Sequence, residues 1–116
     1  MDQTLRNAYA AELDVARAAR IAGNVELAFH HLERAHILGQ RDTLKHVETH
    51  WLMLRLALST RSFREVFGQV TRIVAAALFS RIWVPIGNTG RANVSAIQPM
   101  PVPEDLRETL EELSWR

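Results

Sequence analysis

Residues 28–51, AFHHLERAHILGQRDTLKHVETHW, hold all five histidines of the chain: His30, His31, His36, His46 and His50. None occurs elsewhere in the 116 residues, so the clustering asks for a physical reason. On a helix His46 and His50, four apart, share one face about a turn apart. His31 and His36, on the preceding helical segment, flank Ala28, Leu32 and Ala35. Gly39 and Gln40 interrupt the helical pattern between the two segments. A hairpin folded there sets His31 against His50 and His36 against His46, so the histidines pair across antiparallel helices.

Outward from this hairpin the helical pattern continues on both sides. A first helix is predicted over residues 2–21, capped by Asp2 or Thr4. Leu5, Ala8, Tyr9, Glu12, Val15, Ala16 and Ala19 form its buried stripe. Gly23 stops it and Asn24 caps a second helix over 25–38, which Gly39 ends. Asp42 or Thr43 caps a third helix to residue 59, with Leu44, Val47, Trp51, Leu54 and Leu58 inward. After a polar break at 60–62, a fourth helix over 63–79 carries Val66, Phe67, Val70, Ile73, Val74, Ala77 and Leu78, a broad apolar face suited to the centre of a bundle. Short connections between four helices imply antiparallel neighbours.

An internal repeat of 38 residues aligns Ala28 with Val66 and Ala35 with Ile73. Its helix–turn–helix form resembles a tetratricopeptide hairpin, although that repeat is nearer 34 residues and usually ends in a proline. Because fewer than three repeats rarely make a stable solenoid, the two tetratricopeptide-like hairpins are read as closing into an all-α antiparallel four-helix bundle. The whole chain is expected to form one helical domain, with the bundle over 1–81. Residues 82–103 contain all four prolines and two of the five glycines, and read as an extended segment lying along the bundle. Residues 88–90 form a turn within it. A short acidic helix follows over 104–113, with Leu106, Leu110 and Leu113 on one side.

Composition limits the chemistry. Lys and Arg number 14 against 13 Asp and Glu, a net charge of +1, so no field draws nucleic acid or an anionic membrane. Absence of cysteine excludes disulfides, thiolate nucleophiles, cysteine–zinc sites and iron–sulfur clusters. Residues 1–20 are amphipathic and charged, without the apolar core of a signal peptide. No stretch approaches the ~18 apolar residues of a spanning helix, so a cytoplasmic protein without a membrane partner is expected.

Imidazoles and carboxylates on facing helices are how a bundle builds a transition-metal site. The first hairpin, turning near Gly23, sets Glu12 opposite residue 34 and within a turn of His31 and His36. Glu12, His31, His36, His46 and His50 are therefore the candidate metal ligands, not all needed at once. Such a set suits zinc, copper(II), nickel or iron(II) rather than calcium or magnesium. Met53 offers one soft ligand on the His46/His50 face, Glu48 a spare carboxylate on the third helix, and Glu33 an incomplete E-x-x-H spacing with His36. His30 is expected in solvent. Arg55, Arg61, Arg64 and Arg72 read as a solvated face, residues 87–90 with Arg91 as a plain turn, and Trp51, Trp83 and Trp115 as packing anchors.

Residues 28–40, the His46-x-x-x-His50 pair and residues 85–103, PIGNTGRANVSAIQPMPVP, together resemble short bacterial proteins catalogued as domain of unknown function number 3703. That resemblance spans nearly the whole chain. It implies histidines at 31, 36, 46 and 50 and the turn at 88–90 as parts of one design, and it brings no activity with it. The leading expectation is a metal-binding helical bundle that serves metal handling. A tetratricopeptide-like interaction module with structural histidines, binding a protein partner or a second copy, and a metal-dependent enzyme are the alternatives.

Overall fold

The computed structural model describes residues 2–80 and 82–114. All regular structure among them is helical: α1 (Gln3–Ile21), α2 (Val25–Gly39), α3 (Thr43–Thr60), α4 (Phe63–Phe79) and α5 (Glu104–Ser114). Three N-caps follow the sequence. The Asp2, Asn24 and Asp42 side chains accept hydrogen bonds from the backbone N–H of Thr4, Leu27 and Lys45, which satisfy donors that the first helical turn leaves over. The reversals use left-handed backbone, Gly23 at φ 80° after α1 and Arg61 at φ 57° after α3.

Packing proceeds chiefly between neighbours in sequence, α1 on α2, α2 on α3 and α3 on α4, with α5 resting on α1 and α2. Small residues let α1 and α2 approach closely. Ala16, Ala19 and Ala28 pack with Phe29, Leu32, Met53, Leu56 and Ala57 in one core cluster. A second cluster, Tyr9, Ala35, Ile37, Leu38 and Leu106, fastens α5 to the first hairpin. Burying side chains of this size contributes roughly 1.5–3 kcal/mol apiece for the larger ones.

Two helix faces differ from the sequence expectation. The buried side of α3 is His46, Thr49, His50, Met53, Leu54, Leu56 and Ala57, whereas Leu44, Trp51 and Leu58 are exposed. The inward face is thus rotated toward the histidines, where His50 Nδ1 meets the Gln69 side chain and Thr49 Oγ1 donates to the His46 carbonyl. Helix α4 is not the centre of the array. It turns Glu65, Gly68, Gln69 and Ala76 inward and leaves Phe63, Phe67, Val70, Val74 and Leu78 exposed. Trp83, expected as an anchor, is also exposed, and Trp115 and the Leu113 side chain lie outside the described residues.

Residues 82–103 lie against the helices, held by polar contacts rather than by strand pairing. Gln40 donates from Nε2 to the Pro85 carbonyl and accepts from the Gly87 N–H. Asn88, 2% exposed, donates from Nδ2 to the carbonyls of Ser95 and Gln98 and accepts from the Gly90 N–H. Every donor and acceptor of that side chain is used, so the loop is set by one buried amide.

Candidate metal centre

Three of the five histidines converge. The ring centroids of His36, His46 and His50 lie 4.6–4.9 Å apart, and a ligand atom from each lies within 4.8 Å of the others. His36 comes from the last turn of α2, and His46 and His50 from the first two turns of α3, so the tight α2–α3 connection brings them together. All three are buried.

The protonation pattern follows from the partners. His36 Nδ1 is 2.8 Å from the Asn88 carbonyl oxygen, which can only accept, so Nδ1 carries the hydrogen and Nε2 a lone pair. For His50 the argument runs one step further out. Gln69 Nε2 donates to the Gly90 carbonyl at 2.8 Å and to Glu65 Oε2 at 2.7 Å, two acceptors that fix the amide's orientation. Its Oε1 therefore faces His50 Nδ1 at 2.6 Å, and that nitrogen also carries its hydrogen. Both Nε2 atoms are left with lone pairs, and they face each other at 3.1 Å. No hydrogen bond joins two acceptors.

A proton between the rings would resolve the conflict, but burial opposes it. Desolvation, then the charges of His50 and His46, push His36 well below its ordinary pKa. Burial takes His46 down to about 4, and burial with the His46 charge takes His50 down to about 3. The rings are neutral at pH 7. His46 Nδ1 is buried and finds no hydrogen-bond partner among the described residues.

Around the rings stands a supporting shell that sequence reasoning missed. Glu65, 5% exposed, accepts from Arg91 Nε at 2.5 Å, from Gln69 and from the Ala92 N–H. Burial alone would raise its carboxyl, but these donors outweigh that and hold it below the usual carboxylate range. Arg91 also donates to Glu33 at 3.1 Å and lies over the Phe29 ring, 3.8 Å from its centroid. The turn at 88–90 is thus part of the centre: its Asn88 carbonyl meets the His36 ring, and its Gly90 carbonyl holds the Gln69 amide that meets His50. Gly90, at φ 81°, lies so close to His36 that a Cβ there would sit 2.8 Å from the ring.

Glu12 and His31 form a different group. Glu12 accepts from His31 Nδ1 at 2.7 Å and from Arg34 Nε at 2.8 Å, and Arg34 continues to Asp105 on α5. Residues 31 and 36, five apart, point about 140° apart around a helix, so they cannot face one ion. The expected opposition of Glu12 and residue 34 is realised as an ion pair, while His31 and His50 do not meet. Met53 packs in the apolar core, Glu48 accepts from Tyr9 Oη at 2.6 Å, and Glu33 is engaged by Arg91. His30 is exposed, as are Arg55, Arg61 and Arg64. Arg72 is not part of a solvated face: it donates to the carbonyls of Gly68 and Val94 and helps line a cavity of about 210 Å³ against the three histidines.

Among the described residues no helix is long and apolar enough to cross a membrane. No curated protein and no solved structure matches this chain. A family model described as a protein of unknown function (DUF3703) matches residues 3–110, and the chain belongs to that family.

Proposed function

We propose that this protein binds a transition-metal ion through His36, His46 and His50 and serves in metal handling. The observation that carries the reading is the pair of hydrogen-free Nε2 atoms 3.1 Å apart, each fixed by an acceptor behind its Nδ1. An ion with tetrahedral bonds of about 2.0–2.1 Å to two imidazoles holds their nitrogens about 3.3 Å apart, so little movement admits one. The carbonyl behind His36 and the amide oxygen behind His50 are the support that metal-ligating histidines ordinarily have. Zinc, copper(II), nickel and iron(II) all accept neutral imidazole. Three protein ligands leave a further position open, the arrangement of a metal-dependent enzyme.

Elemental analysis of the untagged protein tests this reading, beside a His46→Ala/His50→Ala variant. Near-stoichiometric metal in the native protein and none in the variant is the expected result. No metal in either, together with a melting temperature unmoved by each ion in turn, overturns it.

A second reading, two tetratricopeptide-like hairpins closing as an antiparallel bundle that serves as an interaction module, is favoured by the exposed apolar side of α4.

A further inference from the structure

We infer that the ion's open position takes a small oxyanion, a carboxylate or carbonate, held at its other end by Arg72; this rests on the metal reading above. Three neutral imidazoles leave a divalent charge uncancelled. The buried carboxylate nearest the rings, Glu65, does not supply the balance, because Arg91 already engages it. Arg72 adds a further positive charge to the same wall. Its two terminal nitrogens are held by backbone carbonyls at 3.1 and 2.8 Å, and its Nε is buried without a partner among the described residues. A half-buried guanidinium with an unused donor beside a dication needs an anion. The cavity of about 210 Å³ that these groups share has room for a molecule on the order of benzene's size, and Ala75, Ala76, Phe79 and Ile97 give it an apolar wall. The ligand is therefore small, with one charged end.

Cobalt(II)-loaded protein, titrated with sodium acetate in buffer free of other coordinating anions, tests the inference. The visible ligand-field bands should shift saturably. Arg72→Met should bind cobalt with unchanged stoichiometry and hold acetate at least about tenfold more weakly, the loss of one charge-assisted hydrogen bond. Arg72→Lys keeps the charge without the Nε–H and should fall between, so a fold damaged by methionine does not decide the matter. Bands that ignore acetate, or that shift equally in all three proteins, overturn the inference while leaving the metal reading standing. Absence of ligand-field bands in the native protein overturns both.

A separate observation carries a second proposal: α4 pairs with α4 of a second copy, antiparallel about a two-fold axis. Phe63, Phe67, Val70, Val74 and Leu78 are between 46% and 79% exposed and follow one face at three-and-four spacing without a charge. With the axis between residues 70 and 71, Phe63 meets Leu78, Phe67 meets Val74 and Val70 meets Thr71, a large residue against a smaller one at the outer steps. At these exposures, with about 200 Å² for an aromatic side chain, the stripe offers roughly 600 Å² per copy, the larger part of the ~800 Å² per partner of a standard interface. Self-complementarity of this kind is what a two-fold dimer requires.

Sedimentation over a concentration series should give a dimer, and Phe67→Glu should give a monomer of unchanged helicity. The chain has no cysteine, so the register can be read by oxidation. Val70→Cys, next to the axis, should cross-link between copies and Phe63→Cys should not. Equal cross-linking of both overturns the antiparallel register. A monomer at every concentration, with or without capture by lipid vesicles, overturns the dimer.

Discussion

Helix α2 contributes a histidine to each of two groups, and the groups are built on opposite principles. His31 sits with Glu12, Arg34 and Asp105 in a half-exposed chain of charges where each cation has an anion beside it. His36, His46 and His50 are buried, uncharged and without a carboxylate within hydrogen-bond reach; amide oxygens hold two of the rings. The first group ties α5 to the hairpin and is complete within the chain. The second leaves lone pairs without donors, which a structural network does not do unless something else fills the place.

Acidity should break the comparison most sharply. In the metal-free protein His46 stays neutral down to about pH 4 and His50 to about 3, and burial holds His36 well below its ordinary value, whereas an unfolded histidine protonates near 6.5. Between those values the unfolded chain binds more protons than the folded one, so stability is full above about pH 6.5 and falls as pH falls toward 4. Each ring contributes a slope of up to about 1.4 kcal/mol per pH unit. Thermal melts at pH 7, 6 and 5 should show a steep fall, and replacing His50 by Gln should flatten it. A melting temperature constant across that range would mean that the rings are not buried as described.

Next in size is Arg91→Ala. It removes the guanidinium shared by Glu33 and Glu65 and leaves Glu65, buried against Gln69, without its hydrogen-bonded cation, with Arg72 the more distant positive charge. Breaking a buried pair this way costs about 3–5 kcal/mol. Denaturant unfolding should show most of that loss, and Arg91→Ala/Glu65→Gln should recover part of it. Equal loss in the single and double variants would place the damage in the Arg91–Phe29 contact instead.

The helices were legible in the sequence, and the site only by half, for a physical reason. Caps at Asp2, Asn24 and Asp42 and the reversals at Gly23 and Gly39 are local signals, and the five helices fall within a residue or two of where these put them. His46 and His50 are likewise a one-helix pattern. Which helix face turns inward depends on partners distant in sequence. Gln69, 19 residues from His50, holds the inward face of α3, and Asn88, 52 residues from His36, holds the end of α2. Pairing by hairpin register brought His36 to His46 but also asked for His31 at the same place, against the 140° between them. Glu65 and Gln69, four apart on the inward side of α4, were the available sign of a polar function there. An apolar count of α4 passed over them and put its exposed stripe in the core.

Gln69→Leu sharpens the contrast at smaller cost. Leucine fills the space but leaves His50 Nδ1 without the oxygen that fixes its hydrogen, so Nε2 is no longer held as the lone-pair atom. Loss of such a supporting contact lowers metal affinity about 10–100-fold. Competition with a chromophoric zinc chelator measures it directly. If leucine binds zinc as tightly as the native side chain, orientation by Gln69 is not what prepares the site.

Smallest of all should be Glu12→Gln, and its smallness is the point. Glu12 was a candidate ligand, yet its two oxygens are taken by His31 and Arg34, on a face of α2 turned away from His36. Glutamine keeps one acceptor and one donor, so it can hold Arg34 through Oε1 while its Nε2 is mismatched to the neighbouring donor only if His31 keeps a hydrogen on Nδ1. Neutral His31 can move that hydrogen to Nε2 and accept instead. The expected loss is that of a partly exposed ion pair, about 1 kcal/mol or less, seen as a small shift in the urea midpoint with unchanged slope. Zinc affinity should not change at all. A fall in zinc affinity of tenfold or more would join the two groups that the structure separates, and would return Glu12 and His31 to the metal site.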